Sequence, residues 1–169
     1  MQEIKYLSGY PDEIKRQVQL LVDKNKLADV LLKKYASAHD ITTDKALYQY
    51  VLQLKKDFLG NAEPVSKVMY DSKLHVIKHA LGLHTSISRV QGNKLKSKRE
   101  IRISSLFKNV PPEFLKMIVV HELAHFKEKE HDKAFYKLCE YMEPNYHQFE
   151  LDLRLYLTHM DLSGELLWN

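Results

Sequence analysis

The segment His121-Glu122-Leu123-Ala124-His125, followed six residues later by His131, holds the residue types best suited to chemistry. On a helix, residues four apart lie about 40° apart around the axis and roughly 6 Å apart along it. Both imidazoles can then grip one metal ion, with Glu122 at the edge of the same face. Two histidine ligands beside a carboxylate that stays off the metal is the arrangement of a zinc hydrolase. There the carboxylate, here Glu122, acts as general base on a metal-activated water.

The elements around the motif must bury it and return His131 to it. Read around a helix, Phe114, Ile118, His121 and His125 share one side, and Leu115, Val119, Leu123 and Phe126 share the other. Only a strip with Glu113, Lys116 and Lys127 is left for water, so the helix is expected to be buried. Pro111 and Pro112 suit its start. A helix running straight on would carry His131 about 9 Å past His125 and roughly 120° away from it. The polar Lys127-Glu128-Lys129-Glu130 offers an exit, and Asp132 can cap a new helix striped by Phe135, Leu138, Cys139 and Met142. A turn there brings His131 back as a third ligand and leaves a fourth position open, as a catalytic zinc site needs. The alternative is a pair of hydrogen-bonded core histidines with Glu122 as a buried partner.

The remainder of the chain reads as support. Residues 11–35 carry a helical stripe (Ile14, Val18, Leu21, Val22) that Asn25 divides. A helix from Thr43 to Phe58, capped by Thr43 or Asp44, ends at Gly60-Asn61. Val65–Asp71 reads as a strand and 74–81 is ambiguous. Residues 84–90 and Glu100–Ser104 alternate in strand fashion, joined as a hairpin by Gly92-Asn93 and a basic run. Pro144 opens a long last helix with Phe149, Leu153, Tyr156, Leu157 and Met160 along one side. Helices, a small sheet, then helices make an α+β fold. The expectation is one domain of 169 residues, with 1–60 as a helical subregion and 61–169 as the sheet and metal-site core.

Hydrophobic residues at 44% and charged residues at 28% are ordinary for a globular chain. No apolar run is long enough for a membrane span, and Met-Gln-Glu-Ile-Lys is not patterned as a signal peptide. One cysteine, Cys139, cannot form an internal disulfide and falls on an apolar face, which fits a cytoplasmic protein. A net charge of +4 gives no argument for nucleic acid. Lys94, Lys96, Lys98, Arg99 and Arg102 nevertheless cluster, either as a solvated hairpin tip or as a cradle for an anionic substrate such as a polyphosphate.

The stretches Val119-Val120-His121-Glu122-Leu123-Ala124-His125 and His131-Asp132-Lys133-Ala134-Phe135-Tyr136 resemble the YgjP-like metallopeptidase domain, in the zincin-like group with SprT and WLM-type proteins. The resemblance extends to Tyr6-Leu7-Ser8-Gly9-Tyr10-Pro11 and Thr43-Asp44-Lys45-Ala46-Leu47-Tyr48-Gln49-Tyr50. It implies His121, His125 and His131 as ligands, Glu122 as base, and a small twisted sheet packed on the active-site helix. Two features depart from related patterns. Many relatives carry Arg-Trp-Gly-Ser-Cys where this chain has Arg89-Val90-Gln91-Gly92-Asn93. Metzincins, which share the histidine spacing, have Gly at the place of Glu128.

The leading expectation is a metallopeptidase-type hydrolase. The resemblance also leaves open a metal-dependent nucleoside triphosphate pyrophosphatase acting on UTP, and the third reading is a non-enzymatic domain with a structural metal. The substrate is then a peptide or a nucleoside triphosphate. The metal is expected to be Zn²⁺, with other transition ions possible on imidazole ligands and Mg²⁺ accompanying a nucleotide. A second donor for developing charge is sought among Arg89, Tyr136, Tyr146 and His147. Each has a plainer reading: half-buried aromatics for the tyrosines, a solvated helix face for His147, and a carboxylate partner for Arg89.

Overall fold

The computed structural model describes residues 4–60, 62–74, 88–89 and 98–169. After a short 3-10 turn at Lys5–Leu7 come α1 (Asp12–Asp23), α2 (Leu27–Lys34) and α3 (Asp44–Leu59). Asn25 separates the first two in a left-handed conformation, φ 54°, which asparagine tolerates better than most residues. The Thr43 hydroxyl accepts the Ala46 N–H at 3.1 Å and starts α3. Gly60, at φ 49°, ends it. These boundaries fall within a residue or two of those expected.

The sheet is ordered β1-β3-β2, with β1 (Val65–Asp71) parallel to β3 (Lys98–Ser104) and β2 (Ser88–Arg89) antiparallel to β3. Antiparallel pairing of Ser88-Arg89 with Lys98-Arg99 fits the expected hairpin. Its Gly92-Asn93 turn, with Lys94 and Lys96, lies outside the described residues, as does nearly all of 74–81. An irregularity between Val65 and Lys67 sets extra chain on β1 against Arg99 and Glu100. It shifts the pleat, so that Val65, Val68 and Tyr70 are all buried. Along β3, Ile101 and Ile103 face the core. Arg102, of the opposite parity, pairs with Asp71 at 2.9 Å and Glu100 at 3.4 Å.

A 3-10 turn at Ser105–Asn109 leads into α4 (Pro112–Ala124), α5 (Lys133–Met142) and α6 (Tyr146–Ser163). Pro111 is the N-cap residue of α4 and Pro112 stands at its first position, where the missing N–H costs nothing. Phe114, Leu115, Met117, Ile118, Val119, Val120 and Leu123 are all buried, because α3, β3, α5 and α6 pack around this one helix. The apolar surround read from the sequence therefore has a partner on every side. Behind it, Asp152 of α6 is buried and accepts from the Tyr35 hydroxyl at 2.5 Å and Gln148 at 3.1 Å, and Lys34 lies 3.2 Å away. Buried Trp168 donates to the Tyr35 carbonyl at 2.9 Å and meets Phe114 edge-on. The expected α+β class is observed. No helix among the described residues is long and apolar enough to cross a membrane.

Candidate metal centre

His121 lies in the last turn of α4 and His125 is the C-cap residue, still at helical φ and ψ. The helix then tightens: Phe126 bonds back to Leu123 at 3.0 Å, and Lys127 and Glu128 to Ala124 at 3.1 and 3.0 Å. Asp132 begins α5 by accepting the Phe135 N–H at 2.9 Å, as expected of an N-cap. Between these ends the chain turns back at Glu128–His131. The metzincin glycine is unnecessary here, since Asn25 is the one non-glycine with positive φ among the described residues. The return is built with ordinary backbone at Glu128.

The turn brings the ligand atoms of His121, His125 and His131 within 4.8 Å of one another. His125 Nδ1 stands 3.0 Å from the Glu128 carbonyl. A carbonyl only accepts, so Nδ1 carries the proton and Nε2 keeps its lone pair. That Nε2 is 3.0 Å from His131 Nε2. Two nitrogens bound to one tetrahedral ion stand about 3.3 Å apart, so the donor set and spacing fit a metal. The second anchor is Tyr146, whose hydroxyl lies 2.8 Å from His121 Nδ1 and leaves Nε2 to face the other rings. Partners of this kind fix the ring and tautomer of a metal-binding histidine. Tyr146→Phe is accordingly expected to lower metal affinity by about 10- to 100-fold, read by competition with a chromophoric chelator. Unchanged affinity would show that His121 is oriented without it.

Phe135 is the floor of the cluster. Its ring centroid lies 5.0, 4.5 and 4.9 Å from those of His121, His125 and His131, and it is fully buried. In the sequence, Phe135 stands out only as part of an apolar stripe. Glu122 is half-buried, and burial pushes its carboxyl up to about 8. A cation held beside it works in the opposite direction and favours the ionised base.

The other candidates separate clearly. Tyr146 is behind His121, buried. Tyr136 is half-buried and packs on Phe135, Tyr146 and His147. His147 is exposed and 2.9 Å from Glu140. Glu150 and Arg154 form an i,i+4 pair at 3.0 Å that is largely shielded from solvent. Arg99 points inward with Ile101 and Ile103. It donates to the His125 carbonyl from Nη1 and to Glu63 from Nε, both at 2.8 Å. Its guanidinium also lies 4.8 Å from the Phe126 ring centroid. Arg89 and Lys98 are placed only as paired strand residues, and Lys94 and Lys96 lie outside the described residues. Strand parity thus separates Arg99 from Arg102, which the Arg99-x-Ile101-x-Ile103 alternation could have revealed.

The family model for the YgjP-like metallopeptidase domain matches residues 69–156, from β1 through most of α6. The chain is also 59% identical over 163 residues to the UTP pyrophosphatase of Escherichia coli (strain K12), covering 96% of this chain and 98% of that protein. This chain belongs to the YgjP-like family. No solved structure matches it. Both names are those of hydrolases, the class expected from the sequence, and the name of the enterobacterial relative corresponds to the second of the three readings. In this YgjP-like chain, the matched segment contains all three clustered histidines and Glu122.

Proposed function

We propose that this protein hydrolyses a nucleoside triphosphate, UTP first, to the monophosphate and pyrophosphate at a zinc centre held by His121, His125 and His131. The observation that carries the substrate is the near-full-length likeness to a protein named UTP pyrophosphatase. The gathered imidazoles supply the place for the chemistry. In the reaction, water attacks the α-phosphorus and the bond from that phosphorus to the bridging oxygen breaks. Glu122 takes the proton from the attacking water and can return it to the departing pyrophosphate. Tyr146 and the Glu128 carbonyl hold the two helix-borne imidazoles in position. Bound at the imidazoles, a divalent ion would supply Lewis acidity to a phosphoryl oxygen of the attacked phosphorus and would acidify the water. Lys94, Lys96 and Lys98 are the proposed contacts to the phosphate chain, which arrives with Mg²⁺. Arg89, Tyr136 and His147 are the proposed second donors.

The placement of the sheet beside the His-Glu-x-x-His helix supports a zincin-like fold within this reading. The buried lone thiol and the lack of a spanning helix among the described residues support cytoplasmic placement. A peptidase reading retains one structural argument. Strand β1 is at an edge of the described sheet, where an extended peptide can add by main-chain pairing.

The test compares chelator-stripped protein with protein reloaded with Zn²⁺, on a panel of nucleoside triphosphates and on a mixed peptide library. Pyrophosphate release from UTP, abolished by stripping and restored by reloading, is the expected result. Metal-dependent peptide cleavage without pyrophosphate would move the assignment to the peptidase reading. Zinc retention with silence on both substrates would favour a structural ion.

A further inference from the structure

We infer that Arg99 is a positioning residue for the metal centre: it clamps the end of the ligand-bearing helix and so sets His125 and the turn that returns His131. The inference rests on the three-histidine metal site proposed above, but not on the identity of the substrate.

His125 occupies the weakest place in its helix. The last four carbonyls of any helix have no partner within it, and the final turn frays. A metal ligand there needs an outside restraint. Arg99 supplies one from a strand: its Nη1 donates to the His125 carbonyl at 2.8 Å. The positive guanidinium also sits where a helix C-terminus favours a cation. The same group is held from the other side by Glu63, just before β1, at 2.8 Å. Its plane lies over Phe126, the first residue of the return turn, at 4.8 Å. One planar fork thus ties the sheet to the carbonyl of one ligand and to the start of the segment leading to the next. His125 is then fixed at two points, its carbonyl by Arg99 and its Nδ1 by Glu128. A lysine keeps the charge but not the fork geometry that spans both oxygens. The Arg99 guanidinium is thereby committed to the His125 carbonyl, Glu63 and Phe126.

The test measures Zn²⁺ affinity of the full-length apoprotein by chelator competition for the unaltered protein, Arg99→Lys and Arg99→Gln. The KM for UTP at saturating metal is measured in parallel. Thermal unfolding establishes that each variant is folded at the assay temperature. The expected order of affinity is unaltered, then Lys, then Gln, with a loss of about 10-fold or more for Gln and KM unchanged. Unchanged metal affinity in both variants, with a raised KM in the Gln variant alone, would overturn the inference and make Arg99 a phosphate contact. If the Gln variant does not fold, the Lys variant decides on the same readouts. Failure of the unaltered protein to bind Zn²⁺ would overturn the site itself. Absence of UTP turnover with intact, Arg99-dependent metal binding would overturn only the substrate.

Discussion

Glu122→Gln should reduce turnover by about 10²- to 10⁴-fold while leaving the metal in place. The substitution keeps the size and planarity of the side chain and removes its capacity to take a proton. Glu122 is outside the three-imidazole cluster, so metal content is expected to match that of the unaltered protein by elemental analysis. The fold should not suffer either. Burial opposes ionisation of this carboxyl in the metal-free protein, and a neutral amide removes that penalty. Steady-state kinetics with the metal-reloaded variant therefore isolates the chemical step, and the loss should fall on kcat rather than on KM. A variant with full activity would take the base role away from Glu122. A variant that loses its metal would instead make the carboxylate part of the coordination.

Phe135→Ala should be the most damaging single change to stability near the site, at about 3–5 kcal/mol. The ring is fully buried and touches all three imidazoles. Its removal opens a cavity where α4, the turn and α5 meet. The surrounding groups are imidazoles tied by hydrogen bonds, so they cannot collapse inward without breaking those ties. Two effects should therefore appear together, a lower denaturation midpoint and a lower affinity for the metal of the proposed site. Phe135→Leu keeps much of the volume and should cost roughly 1.5 kcal/mol or less. Equal stability of the alanine and unaltered proteins in urea would mean that the three rings are held apart by something else.

The parts of this architecture that were legible in the sequence are those written in short-range spacing. The histidines four apart, Asp132 three before Phe135, Thr43 ahead of an apolar stripe and Asn25 between two helices each act within a turn or two. Such signals do not depend on what packs against them. Contacts between distant residues were not legible. Residue type marks Tyr146 as a candidate donor, but no local pattern marks it as the partner of His121, twenty-five residues earlier. Adjacent charges in sequence suggest one surface, but a pleated strand sends neighbours to opposite faces, and Arg99 turns to the His125 carbonyl. The parallel pairing of β1 with β3 depends on a crossover whose partners no local pattern specifies. Trp168 carried no signal of its berth against Tyr35 and Phe114.

The three clustered histidines come from a single stretch, His121 to His131, whereas their outside restraints come from β3 and α6. This separation has a consequence for the order of assembly. Gathering the imidazoles closes a loop of about ten residues, a small entropic demand compared with docking a strand or a distant helix. An ion can thus be captured by a chain in which little more than one helix end and its turn have formed. Affinity in that early state would be low, because neither imidazole orientation nor the helix end has yet been fixed. It should rise as the sheet and the last helix dock, so that ion and tertiary structure draw each other in. A divalent ion present during refolding would then act as a nucleating template as well as an occupant of the proposed site.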